Sequence, residues 1–248
     1  MNIFKQTHKQ TSIFVTAGYP TIDSLDDQLC LLESKGIDFV EVGIPFSDPL
    51  ADGPTIQEAS KIAIENGMNL TLLFEQLKRR KSKIPIVLMG YFNPVLNFGI
   101  DAFLNACGEI DITSVILPDL SIEIYNRNYR ARFEAKGIFP SFLVTTSTSQ
   151  ERIKKAVDIC TNSFIYLVSS NSTTGGENNF SADQCDRLRE ITTLCDDTPV
   201  FIGFGIKNND DVQKVHSISD GAIIGSSYLK AIENREERHY LDELLGVK

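Results

Sequence analysis

The sequence predicts a single closed barrel of eight parallel β-strands alternating with helices, an α/β (β/α)8 fold spanning residues 1–248 as one domain. Three observations predict it. Eight short apolar runs alternate with longer amphipathic stretches. The runs are almost continuously apolar, as expected of strands covered on both faces. No Pro/Ser-rich or low-complexity tract divides the 248 residues, and ~250 residues is a common length for one such barrel.

The first strand is read at 12–16. A helix over 24–35 follows, with Ser24 as its N-cap and Leu25, Leu29 and Leu32 on one stripe. The second strand is 39–42. Helices over 56–65 and 72–80 lead to a third strand at 84–89, and 101–106 leads to a fourth at 114–117. The pairs 122–135 with 140–144, 150–159 with 164–168, 182–194 with 200–203, and 210–216 with 222–224 complete eight units. Helices over 231–234 and 236–245 close the chain. Gly36, Gly67 and Gly137 stand where helices end in a left-handed residue. The connections 45–55 and 169–180 are long, and both follow the C-terminal ends of strands, where barrels of this kind place their chemistry.

Composition narrows the function. With 42% hydrophobic and 23% charged residues the chain is an ordinary globular protein. No apolar run approaches the ~20 residues that span a bilayer, and residues 1–15 lack the uninterrupted apolar stretch of a signal peptide. The expected location is cytoplasmic. The five cysteines are scattered without CxxC or His-linked spacing, so neither a metal site nor a disulfide framework is expected. A net charge of −9 without a basic patch argues against nucleic acid. An anionic substrate must then be held by local groups rather than by the field of the whole molecule.

Glu41 interrupts the apolar run Phe39-Val40-Glu41-Val42. A carboxylate there points into the barrel near its mouth, or pairs with a cation on a neighbouring helix. Pointing inward, it would be desolvated, with a raised pKa suited to proton transfer. Asp52 lies in a loop restricted by Pro45, Pro49 and Pro54. It is read as a second functional carboxylate, with a turn or cap role as the alternative; Thr55 is the better cap for the helix that follows.

Gly203-Phe204-Gly205 follows the seventh strand and Gly225-Ser226-Ser227 the eighth. In a barrel these loops are neighbours, and together with a short helix N-terminus they form a recurrent phosphate site. Glycine lets backbone N–H groups approach phosphoryl oxygens, and the helix dipole adds favourable potential.

These residues carry a family resemblance. The segment EVGIPFSDPLADGPTIQ at 41–57 is specific, and FVTAGYP (14–20), MGYFN (89–93), LPD (117–119), YLVS (166–169), GFGI (203–206) and the Gly225-Ser226 pair support it. Through them the chain resembles the α subunit of tryptophan synthase along nearly its whole length, a TIM barrel with a phosphate site at the C-terminal ends of its strands. The resemblance implies reversible retro-aldol cleavage of indole-3-glycerol phosphate to indole and glyceraldehyde 3-phosphate. It makes Glu41 the acid–base catalyst and Asp52 the partner of the indole N–H. Phe14, Tyr91, Leu117, Tyr166 and Phe204 would hold the substrate, Thr174 would close over Asp52, and Gly175, Gly205, Gly225 and Ser226 would receive the phosphate. It implies no cofactor or metal in this chain. The partner is a β subunit that uses pyridoxal phosphate and takes up the indole in an α2β2 heterotetramer.

The loop after the sixth strand departs from the family's Gly-Val-Thr-Gly core. Here the core reads Ser172-Thr173-Thr174-Gly175, and Asn179 stands where an arginine is common. A Gly-to-Ser change costs ~1 kcal/mol or more where φ > 0 is required. Since loop closure excludes water and completes a site, the altered loop 169–180 is expected to weaken intrinsic turnover. The alternative is a non-catalytic, ligand-binding activator of the β subunit. An isomerase or epimerase of the phosphate-binding barrel group is a third reading, but those sites do not carry the whole 41–54 segment.

Overall fold

A computed structural model describes residues 2–49, 52–169 and 181–247. The strands β1 (Gln10–Thr16), β2 (Phe39–Gly43), β3 (Ile86–Met89), β4 (Ser114–Ile116), β5 (Phe139–Thr145), β6 (Ile165–Val168), β7 (Val200–Gly203) and β8 (Gly221–Ile224) form a closed barrel in chain order. All pairs are parallel, including β8 with β1. The eight strands thus stand close to where the apolar runs put them. β1 starts earlier than expected, at Gln10, because pairing with β8 recruits it: the Gln10 N–H donates to the Asp220 carbonyl at 2.9 Å. β3 starts later, after Pro85, which has no N–H to give to a ladder but accepts from Val40 N–H at 2.9 Å.

The twofold alternation of side chains sorts each strand into two environments. Outward residues such as Ile13, Val15, Val40, Val42 and Leu88 pack in one large core beneath the helices. Inward residues fill the barrel. Phe39, Phe164 and Phe201 join Phe4 from the N-terminal segment in a cluster with ring centroids 4.7–6.0 Å apart. Edge-to-face and tilted arrangements of this kind add to apolar burial. Two residues further along the same inward columns come Glu41, Tyr166 and Gly203, so the site sits above an aromatic floor.

The helices are α1 (Leu25–Ser34), α2 (Pro54–Glu65), α3 (Leu70–Arg79), α4 (Phe92–Phe98), α5 (Ile100–Glu109), α6 (Ile122–Ile124), α7 (Arg130–Glu134), α8 (Gln150–Ile159), α9 (Ala182–Leu194), α10 (Asn209–His216), α11 (Ser226–Glu233) and α12 (Glu237–Leu245). Gly36, Gly67 and Gly137 have φ of +77°, +94° and +67°, as the helix-end reading requires. Four expectations need correction. Ser24 stands at the N-cap position of α1 as expected, but its side chain makes no capping bond: the hydroxyl is directed instead to the carbonyls of Tyr19 and Thr21, each at 2.8 Å. Gly53, not Thr55, is the N-cap of α2, because Pro54 occupies the first helical position, where a missing N–H costs nothing. Helix α4 was not expected; its first N–H, at Phe92, is satisfied from a distant loop by Asp119 Oδ1 at 2.8 Å. The helix read as continuous over 122–135 carries a π-helical turn, Tyr125–Tyr129, between α6 and α7.

Candidate active site

A cavity of about 340 Å³ opens at the C-terminal ends of the strands, lined by Phe14, Glu41, Asp52, Tyr166, Phe204 and the glycine turns after β7 and β8. Glu41 is wholly buried. Its neighbours in register are Phe14 of β1 and Val87 of β3, and neither carboxylate oxygen has a hydrogen-bond partner among the described residues. Of the two sequence readings, inward projection holds and a cation pair does not. Desolvation pushes its pKa up to about 8, because an apolar site penalises the charged form.

Asp52 ends the β2–α2 connection, one residue before the cap of α2. The Gln57 side-chain amide donates to its backbone carbonyl at 2.8 Å, and the Tyr91 hydroxyl donates to its carboxylate at 3.2 Å. Burial raises its pKa while the Tyr91 bond draws it down. Tyr91 also packs on Phe46, with ring centroids 5.1 Å apart. Asp52 and Tyr91 meet again in a small annex of the cavity, walled by Gly43, Ile44 and Pro118.

Two glycines make room for the aromatic walls. A Cβ on Gly203 would lie 2.2 Å from the Tyr166 hydroxyl, and one on Gly43 would lie 2.5 Å from the tip of the Phe14 ring. Tyr166 is buried, and its pKa is pushed well above the ordinary phenol value by desolvation and then by Glu41 and Asp52. That electrostatic coupling ties the three groups to one site. Phe204 packs against Tyr166 at 6.2 Å, near edge-to-face.

At the other end lie the two glycine turns expected to cradle an anion. Phe204 and Gly205 both take positive φ, +71° and +78°, which turns the chain sharply after β7. The Ser227 hydroxyl donates to the Ile206 carbonyl at 2.9 Å, tying this turn to the one after β8. Helix α11 begins at Ser226 with Gly225 as its cap residue. The Tyr228 and Leu229 N–H groups bond to the Gly225 carbonyl at 3.0 and 3.1 Å, which leaves those of Ser226 and Ser227 without an acceptor one turn before them, and the helix end carries partial positive charge.

The site residues expected from sequence therefore fall into four groups. Glu41, Asp52, Phe14, Tyr166, Phe204, Gly205, Gly225 and Ser226 line the one cavity. Tyr91 reaches it through the annex. Leu117 is buried in the core beneath the helices and lines neither space; its neighbour Pro118 does. Thr174 and Gly175, with the rest of 170–180, lie outside the described residues.

Sequence reasoning missed other lining groups. Ile56, Ile206 and Ile223 add apolar wall, and Lys207 and Lys230 stand at the cradle. Ile223 was readable in principle, being two residues beyond inward-facing Gly221 on β8. The lysines carried a weaker signal: Lys207 follows the glycine turn, and Lys230 lies four residues, about one helical turn, after Ser226.

Comparison with known proteins agrees with this geometry. The family model described as "Tryptophan synthase alpha chain" matches residues 2–245. The tryptophan synthase alpha chain of Christiangramia forsetii is 44% identical over 92% of this chain and 90% of its own length. That of Flavobacterium psychrophilum is 45% identical over 91% and 90%. Among solved structures, the subunit alpha from Campylobacter jejuni superposes with a TM-score of 0.86 at 30% identity, covering 96% of each chain. A Pyrococcus furiosus structure, described by the mutual activation of its a2b2 complex, gives 0.87 at 33%, covering 97% of this chain and all of that one. A barrel of this topology, a carboxylate pair facing a glycine cradle and identities of this extent place the chain in the tryptophan synthase alpha chain family.

Proposed function

We propose that this chain cleaves indole-3-glycerol phosphate to indole and glyceraldehyde 3-phosphate, with Glu41 as the proton-transfer group. The observation that carries the reading is a wholly buried carboxyl, without a hydrogen-bond partner among the described residues and with a pKa near 8, sharing one cavity with a second carboxylate and the glycine turns. The chemistry needs one proton delivered and one removed. Neutral Glu41 gives its proton to indole C3, producing a cationic indolenine. The resulting carboxylate takes the proton of the hydroxyl on the carbon attached to C3. As that O–H electron pair forms the aldehyde, the C–C bond breaks and its electrons return to the ring as indole. Glu41 ends as it began, and no water is consumed. A pKa close to working pH favours both transfers.

Asp52 would accept a hydrogen bond from the indole N–H and offset the positive charge that develops on protonation, a stabilisation specific to the transition state. Phe14, Tyr166 and Phe204 would flank the ring. The turns at Gly205 and Gly225 with Ser226 would take the phosphate. The indole is then passed to a tryptophan synthase β subunit in an α2β2 assembly; pyridoxal phosphate belongs to that partner. The competing reading, an activator without turnover, has only the altered sequence of loop 169–180 in its favour.

The test is indole release from indole-3-glycerol phosphate, measured with and without a β subunit. Glu41→Gln is expected to lower turnover by ~10²–10⁴-fold, the usual worth of a positioned acid–base group. Full activity in that variant removes Glu41 from the chemistry. No release by the unaltered chain in either setting rejects the enzymatic reading.

A further inference from the structure

We propose that Lys207 and Lys230 form a cationic clamp on the phosphate end of the substrate, setting affinity for the phosphorylated ligand rather than the rate of bond cleavage. The inference rests on the proposed function above, since it assigns the counter-charge for the same ligand.

Both lysines line the cavity beside Gly205, Gly225 and Ser226, and they reach it from separate elements, the turn after β7 and helix α11. Neither belongs to an ion pair among the described residues, whereas Lys9, Lys35, Lys78, Lys81 and Lys155 all do. The Lys207 stem starts from a fixed point: its backbone N–H donates to Asp211 Oδ2 at 3.0 Å. This bond engages Asp211 Oδ2 with the backbone, and Asp211 forms no ion pair with the Lys207 ammonium among the described residues. Lys230 lies one turn beyond Ser226 on α11. Helical side chains lean toward the N-terminus, so its ammonium is directed back to the end of the helix where an anion would sit. Backbone N–H groups and a helix dipole supply only partial charges, and a phosphate monoester near neutral pH carries close to two negative charges. In a chain of net charge −9, full positive charge at the cradle has to come from groups placed there.

The experiment titrates inorganic phosphate into the full chain by calorimetry, alongside steady-state kinetics with indole-3-glycerol phosphate. Lys207→Gln and Lys230→Gln are each expected to weaken phosphate binding about threefold to tenfold at low salt, as for loss of one charge-assisted contact at a solvated site. KM should rise in parallel while kcat stays within about twofold. Lys→Arg at either position should restore most of the affinity, and thermal unfolding should be unchanged. Phosphate affinity equal to the unaltered chain in both glutamine variants overturns the clamp while leaving the proposed function intact. So does a fall in kcat with affinity unaltered. An unaltered chain that binds no phosphate overturns the cradle itself, and with it the reading of the reaction.

Discussion

Glu41 has no cation or donor facing its carboxyl among the described residues, so burial alone sets its protonation, and that has a thermodynamic consequence. A carboxyl whose pKa is about 8 in the native state and near ~4.3 when unfolded binds its proton more tightly when folded. The associated stability is fully present below the unfolded value and is lost as pH rises through the folded one. At ~1.4 kcal/mol per unit, the full loss is on the order of 5 kcal/mol above pH ~8. Glu41→Gln, which cannot ionise, should therefore gain stability relative to the unaltered chain as pH rises from 5 to 9. Urea midpoints at several pH values read this directly; a difference that stays constant with pH shows that Glu41 does not carry the shift. Asp52 supplies the second case. The Tyr91 hydroxyl draws its pKa down against the effect of burial, and an anionic Asp52 is what the proposed stabilisation of the indole cation needs. Tyr91→Phe should move the acid limb of the kcat/KM profile to higher pH, and an unmoved limb removes Tyr91 from that role. The buried position of Glu41 was legible in sequence because a lone charge in an apolar strand has few places to go. Leu117 was not, because one position along a strand end decides between the core and the annex, and the annex took Pro118.

At the scale of elements, the site depends on strand register. Glu41 and Gly43 are both inward on β2, and the Phe14 ring of β1 occupies the space that a side chain at Gly43 would need. Gly43→Ala should cost ~1–3 kcal/mol through overpacking. On a Phe14→Leu background, which removes the clashing ring atoms, the same change should cost much less. A double-mutant cycle measures the coupling; additive costs would mean that Phe14 does not hold that space. The strands were readable because an apolar run buried on both faces is a local signal. The elements that sequence missed are fixed by distant partners. Helix α4 takes its first hydrogen bond from Asp119, 27 residues away, and β1 is lengthened by a strand that closes the ring from the far end of the chain. The start of α2 went to Gly53 and Pro54 rather than Thr55 because the proline's missing N–H outweighed a hydroxyl's capping ability. The glycine turns of the cradle were legible, being consecutive in sequence. The lysines beside them were not, since their convergence exists only once the turn after β7 is tied to the start of α11.

The whole molecule carries a charge that works against its own ligand. A net charge of −9 repels a phosphate dianion over a screening length of ~10 Å at 0.1 M salt and ~30 Å at 0.01 M, while two lysines at the cradle attract it at short range. Salt weakens both effects, so its net influence on binding reports which one dominates. If the clamp dominates, phosphate affinity of the unaltered chain should fall as salt rises from ~0.01 M to ~0.3 M, across which the screening length shrinks several-fold. The double variant Lys207→Gln/Lys230→Gln is two units more negative and lacks the local attraction. Its residual binding then rests on backbone N–H groups and the α11 dipole against a repulsive field, so added salt should leave its affinity level or raise it. Calorimetric titration of phosphate across the salt series gives the two slopes. A fall of equal steepness in both forms would assign the attraction to the backbone cradle alone, and the lysines would then be ordinary solvated surface. Opposite signs would show a molecule whose long-range field resists anions and whose local charges overcome that resistance at one place, the mouth of the barrel.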